Sequence, residues 1–304
     1  MSANPYQIVT ERIVALLEQG IVPWRKPWHN TGQPRSLASG KGYRGVNVFL
    51  LSCEAHLAGY MSPYWLTFKQ CSERGGRIRK GERGNPVVFW KKWEVEEAAD
   101  DGTTEKKAVP VLRYFTVFNA DQCEGLDVPA VNVPLIDFQP LARCEEVVAR
   151  MPSPPAIQHR GQRACYSPAR DTVEMPKPEL FVSGEEYYST LFHELAHATG
   201  HASRLDRKEI QTHSGFGSEP YAREELVAEM GAAFLCAHCR IEANTLENSA
   251  AYIEGWLGKL RSDTRLVVQA ASQGQRAVDY ILGTTALIEE HTPEGTLATT
   301  EVSA

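Results

Sequence analysis

A glutamate between two histidines four residues apart, His193-Glu194-Leu195-Ala196-His197, most restricts what this chain folds into. Residues i and i+4 of an α-helix stand one above the other, so both imidazoles reach a single ion only if this stretch is a helical turn. Glu194 then lies beside that ion without ligating it. There it acts as a base toward water whose pKa a zinc ion lowers to about 7. The preceding run Tyr187-Tyr188-Ser189-Thr190-Leu191-Phe192 supplies the apolar face of a buried helix, and Gly200 supplies a stop.

A zinc held by two imidazoles needs a third protein donor, which a second helical stretch from Ala222 to Leu235 offers on one face. Glu225 and Glu229 are one turn apart and point the same way, so one ligates while the other orients a histidine. Glu229 is the expected ligand, because Gly231, Ala232 and Ala233 after it let the two helices approach closely, and Glu225 is held in reserve. His201 continues the histidine series, but three such positions on a straight helix span about 12 Å, so it joins the site only if the chain bends at Gly200. His213, on a glycine-containing loop, reads as exposed or substrate-facing. Cys236, His238 and Cys239 have metal-like spacing but lie in an apolar helix without a matching pair, and they are assigned to the core.

With 304 residues, the chain is long enough for two domains. No apolar run approaches the roughly 20 residues that span a bilayer. The N-terminus lacks a basic segment followed by an apolar one, and seven scattered cysteines fit reduced thiols, so a cytoplasmic location is expected. The net charge of −6 is unevenly distributed: residues 1–93 hold 14 Lys and Arg against 5 Glu. A basic first third on an acidic remainder points to different partners, with a polyanion for the first.

An α+β fold is expected, with a small antiparallel sheet in the N-terminal domain and a mostly helical C-terminal domain. Apolar spacing predicts helices at 6–20 and 46–58. The prolines of Pro23-Trp24-Arg25-Lys26-Pro27-Trp28 predict an extended piece between them. Strands are expected at 86–90 and 111–118 across a charged turn from Glu94 to Lys107. Residues 1–130 form the first domain, 131–140 the core of a proline-marked linker, 141–290 the second domain, and 291–304 a disordered tail. Short strands near 165–166 and 179–182, then helices at 141–150, 185–200, 222–239, 248–260 and 263–282, complete the second domain.

Between residues 24 and 93, aromatic rings alternate with cations, a pattern suited to single-stranded nucleic acid: bases stack on rings while the backbone follows positive charge. The candidate contacts are Trp24, Arg25, Lys26, Trp28, Tyr43, Arg44, Lys69, Arg77, Lys80 and Arg83.

Pro23-Trp24-Arg25-Lys26-Pro27-Trp28, Tyr43-Arg44-Gly45-Val46-Asn47, Trp65-Leu66-Thr67-Phe68-Lys69-Gln70 and Lys80-Gly81-Glu82, followed by His193 to His201, resemble the ArdC antirestriction proteins of conjugative plasmids. The likeness runs in order from about residue 5 to 285, and its first part also resembles TraC-type primases. The resemblance implies an N-terminal domain that binds single-stranded DNA and a C-terminal zincin-like metallopeptidase domain. It implies His193, His197 and Glu229 as ligands of zinc, with Mn2+ as another divalent choice, and Glu194 as the catalytic carboxylate. Protection of incoming plasmid DNA from host restriction is the implied role, with a host restriction-system protein as a possible partner. Two other readings are a metalloprotease that uses DNA as a tether and a primase-related replication accessory.

Overall fold

The chain is described here in a computed structural model covering residues 4–25, 33–98, 104–129, 140–181, 183–211, 219–241 and 250–284. Asn4 starts the first helix, α1 (Pro5–Glu18), by accepting from the Tyr6 amide at 3.1 Å. Pro5 fills the first turn, where its missing N–H is not needed. The elements β1 (Arg35–Ser36), α2 (Val46–Ala58), β2 (Tyr64–Leu66), α3 (Phe68–Glu73), β3 (Arg77–Ile78), β4 (Asn85–Ala98), β5 (Thr104–Asn119) and β6 (Cys123–Glu124) follow. One sheet runs β1-β2-β5-β4, and β3 pairs with β6.

The expected α+β class holds, with three local corrections. Pro23–Arg25 forms a 3₁₀ turn, not an extended piece. The charged stretch expected as a turn is largely strand, because the register sets Glu96 opposite Lys106 and continues to Ala98 opposite Thr104. Of the strand expected at 179–182, the described residues 179–181 instead belong to or follow a 3₁₀ turn, Pro178–Leu180, whose first position is taken by proline.

The second half contains α4 (Pro140–Arg150), β7 (Ala156–His159), β8 (Cys165–Ser167), β9 (Thr172–Met175), α5 (Gly184–Ala198), α6 (Lys208–Gln211), α7 (Glu219–Cys239), α8 (Ala250–Ser262) and α9 (Leu266–Ile281). Its sheet has the order β7-β9-β8, with β9 parallel to β7 and antiparallel to β8. Helices α5, α7 and α9 are drawn together by small residues. A Cβ on Gly231 would sit 3.1 Å from Ala196 Cβ, and one on Gly274 would sit 3.1 Å from the Val227 carbonyl.

One hydrophobic core runs through both halves, joining Val9, Ile13, Trp24 and Phe49 to Phe234, Leu260 and Val267. Phe49 stacks on Phe234 with ring centroids 4.7 Å apart. Cys236 and Cys239 are buried in this core. The expected linker core and C-terminal tail lie mostly outside the described residues. No described helix is long and apolar enough to cross a membrane.

Candidate metal centre

Ser183 begins α5 by accepting from the Glu186 amide, and the buried Leu191, Phe192, Leu195 and Ala198 seat this helix in the core. Its histidine face is thereby fixed toward α7. His193 Nε2 and His197 Nε2 stand 3.1 Å apart. From α7, Glu225 completes the group, with Oε2 3.5 Å from His193 Nε2 and Oε1 3.6 Å from His197 Nε2. For ligand bonds near 2.1 Å, the edge of a zinc tetrahedron is about 3.4 Å, close to the spacing of the two imidazole nitrogens and of each from a Glu225 oxygen. Two imidazole nitrogens and a carboxylate aimed at a common point are also the donor chemistry a divalent metal requires.

Glu229, the expected third donor, is not in the group. It lies one turn further along α7, about 6 Å by helical rise, where its Oε2 accepts from Trp24 Nε1 at 2.8 Å. The small residues after it do bring the helices together, but the crossing sets Glu225 opposite the histidines. Nor does His201 join them. The chain turns after Ala198, and the His201 ring meets Ser203 Oγ at 2.8 Å. Gly200 has no left-handed φ, and its need is for space: a Cβ there would lie 2.8 Å from Ile210 and 3.1 Å from Arg207. His213 lies outside the described residues.

Sequence reasoning missed the pair that holds His197. Glu224 Oε1 is 3.2 Å from His197 Nδ1, which leaves Nε2 facing the donor group. Arg207 donates to both oxygens of Glu224, Nε to Oε2 at 2.9 Å and Nη2 to Oε1 at 2.6 Å. It also reaches Thr199 Oγ1 and the Ala196 carbonyl at 2.7 Å, so the same guanidinium clasps the end of the histidine helix. Only Glu224's place beside Glu225 hints at this, because Arg207 arrives from another loop.

Charge follows from the geometry. Burial alone would lower the His197 imidazole, but the Glu224 hydrogen bond and the charges of Glu225, Glu224 and Glu194 outweigh it and hold the ring up at about 9. Burial works to raise the Glu225 carboxyl, yet the His193 hydrogen bond, the two imidazole charges and a hydrogen bond from Tyr221 bring it down to about 2. These carboxylates favour positive charge at the point where the imidazoles converge. Glu194, buried and next to His193, contributes to the same field.

The proposed nucleic-acid contacts are scattered. Trp24 is buried, edge-on to Trp256 at 6.0 Å, and Tyr43 is buried against Phe89 at 6.1 Å, so neither ring meets a base. Arg44 is half exposed and paired with Asp279 of α9. Lys69 pairs with Glu73 at 3.7 Å and Arg77 with Glu124 at 2.6 Å, while Lys80 and Arg83 are exposed. The Arg25 side chain, Lys26 and Trp28 lie outside the described residues.

Comparison with known proteins agrees with both halves. Residues 3–118 match the N-terminal domain of anti-restriction factor ArdC, and residues 143–273 match the zincin-like metallopeptidase family. Protein y4eC of Sinorhizobium fredii is 37% identical over 284 residues, 91% of each chain. The Escherichia coli DNA primase TraC is 33% identical over 297 residues, and this chain spans 27% of its length. The crystal structure of antirestriction ArdC from plasmid R388 in its Mn(II)-bound form has a TM-score of 0.73 at 37% identity, covering 94% of this chain and 100% of that one. Its metal-free form gives 0.72 at 39% identity, covering 92% and 97%. With both halves matched in order and full-length relatives sharing more than a third of its residues, the chain belongs to the ArdC antirestriction family.

Proposed function

We propose that this protein binds single-stranded DNA through its basic N-terminal half and protects incoming plasmid DNA from host restriction during conjugation. Its C-terminal half carries a zinc or manganese peptidase centre held by His193, His197 and Glu225. The observation that carries the reading is the convergence of these three donors beside Glu194, on a chain whose first 93 residues hold 14 cations against 5 carboxylates. A protein of the host restriction system in the cytoplasm is the substrate this reading gives the peptidase half.

When bound, a divalent ion supplies Lewis-acid polarisation. Glu194 accepts the proton of the attacking water and passes it to the departing amine. Tyr221 orients the Glu225 carboxylate, and Glu224 with Arg207 keeps the His197 ring in place.

The test is transfer of a plasmid into a restricting recipient. Wild-type protein is expected to raise the yield of recipients, and Glu194→Gln, which keeps the metal ligands, is expected to lose most of that gain. Full protection by the variant would remove hydrolysis from the mechanism. A labelled single-stranded oligonucleotide titrated at rising salt should show log affinity falling linearly with log salt. Absence of binding would defeat the DNA half of the reading.

A further inference from the structure

Strands β4 and β5 pair in one unbroken register, so residues directly opposite each other share a face and alternate residues along each strand return to it. On one face Val88 stands opposite Tyr114 and Trp90 opposite Leu112. The result is a checkerboard, with rings on one diagonal and aliphatic side chains on the other. Val88 and Leu112 are each 6% exposed, whereas Trp90 is 40% exposed and Tyr114 43%. Diagonal neighbours are about 7–8 Å apart across a ladder, within reach of one another when both are aromatic.

The row continues beyond the sheet. Tyr6 of α1 lies edge-on to Trp90 at 6.2 Å, and the Arg265 guanidinium sits 5.5 Å from the centre of the Tyr6 ring. Lys91 and Arg113 are exposed, but as the alternate residues of their strands they stand on the opposite face from the two rings. Exposed rings with a guanidinium at the end of their row complement an anionic polymer with flat apolar bases better than they complement an apolar protein surface.

We propose that Trp90 and Tyr114 form the stacking platform for single-stranded DNA, with Arg265 drawing its phosphates. This rests on the single-strand-binding reading, and it replaces Trp24 and Tyr43, which the core buries, as the rings that meet bases.

The experiment measures affinity of the full chain for a labelled oligothymidylate and for an abasic oligonucleotide of equal length, with Trp90→Ala, Tyr114→Ala and Trp90→Phe. Each alanine variant should bind oligothymidylate about 5- to 150-fold more weakly, the range expected for one lost stack, while Trp90→Phe retains most affinity. Binding to the abasic strand should be equal for all proteins, because it reports phosphate contacts alone. The two alanine variants are independent, so the test stands if one of them fails to fold. Wild-type affinity for oligothymidylate in folded alanine variants would overturn the platform and leave DNA binding standing. Unchanged DNA affinity with loss of self-association would assign the rings to a protein contact and likewise overturn it. If wild-type protein binds no oligonucleotide, both this proposal and the reading beneath it fall.

Discussion

Two carboxylates one helical turn apart on α7 have different neighbours and therefore different work. Glu225 faces two imidazoles, whereas Glu229 is engaged by the indole of Trp24. Isothermal titration with Mn(II) or Zn(II) should separate them. Glu225→Gln is expected to lower metal affinity by more than about 100-fold, beyond the 10- to 100-fold typical of losing a residue that only orients a ligand. Glu229→Gln should leave affinity within about threefold and cost roughly 0.5–1.5 kcal/mol of stability through its weakened hydrogen bond. Equal effects of the two substitutions would contradict the assignment. The histidine pair was legible because its geometry is contained within one turn of one helix. The choice between the glutamates depends on where two helices cross, and no spacing within either helix encodes that.

Between elements, the turn joining β8 to β9 is tied to the loop after α5 by a buried arginine. Arg204 donates to Asp171 Oδ1 at 2.8 Å and Oδ2 at 2.7 Å, and also to the carbonyls of Ser153 and Ala198. Asp171 has a left-handed φ of 46°, a conformation asparagine also tolerates. The Arg204 hydrogen bonds hold its carboxyl below the ordinary range, against the opposing effect of burial. A carboxyl with a lowered folded-state pKa contributes stability above its unfolded value of about 4 and loses that contribution as pH falls through the folded value. Asp171→Asn should therefore cost about 1–3 kcal/mol near neutral pH, and the difference from wild type should shrink below about pH 4. Thermal melting between pH 3 and 7 checks this, and a constant difference across the range would refute it. Neither partner was visible in the sequence, since they lie 33 positions apart on separate loops.

At the scale of the molecule, the basic and acidic portions share one core instead of folding around two. Phe49, fully buried, joins them by its stack on Phe234. Phe49→Ala should cost about 3–5 kcal/mol, and calorimetry should show one transition moved to lower temperature for the whole chain. Two separate transitions, only one of them displaced, would show that the halves unfold independently. Trp24 teaches the same lesson. Beside Arg25 and Lys26 it reads as a surface ring, yet it lies against Trp256 and Glu229, because the turn Pro23–Arg25 packs on α7.

Local patterns in the amino-acid order determined the longer helices, the pairing of β4 with β5, and the turn that presents two imidazoles around Glu194. All of these depend on neighbours within a few residues or on the alternation of one strand. The tertiary structure alone decided that Glu225 and not Glu229 faces the two imidazoles, that Glu224 and Arg207 hold His197, and that Trp90 and Tyr114 are exposed while Trp24 and Tyr43 are covered. Those outcomes follow from close helix crossings at small residues and from a common core, where packing between distant segments decides which side chains meet.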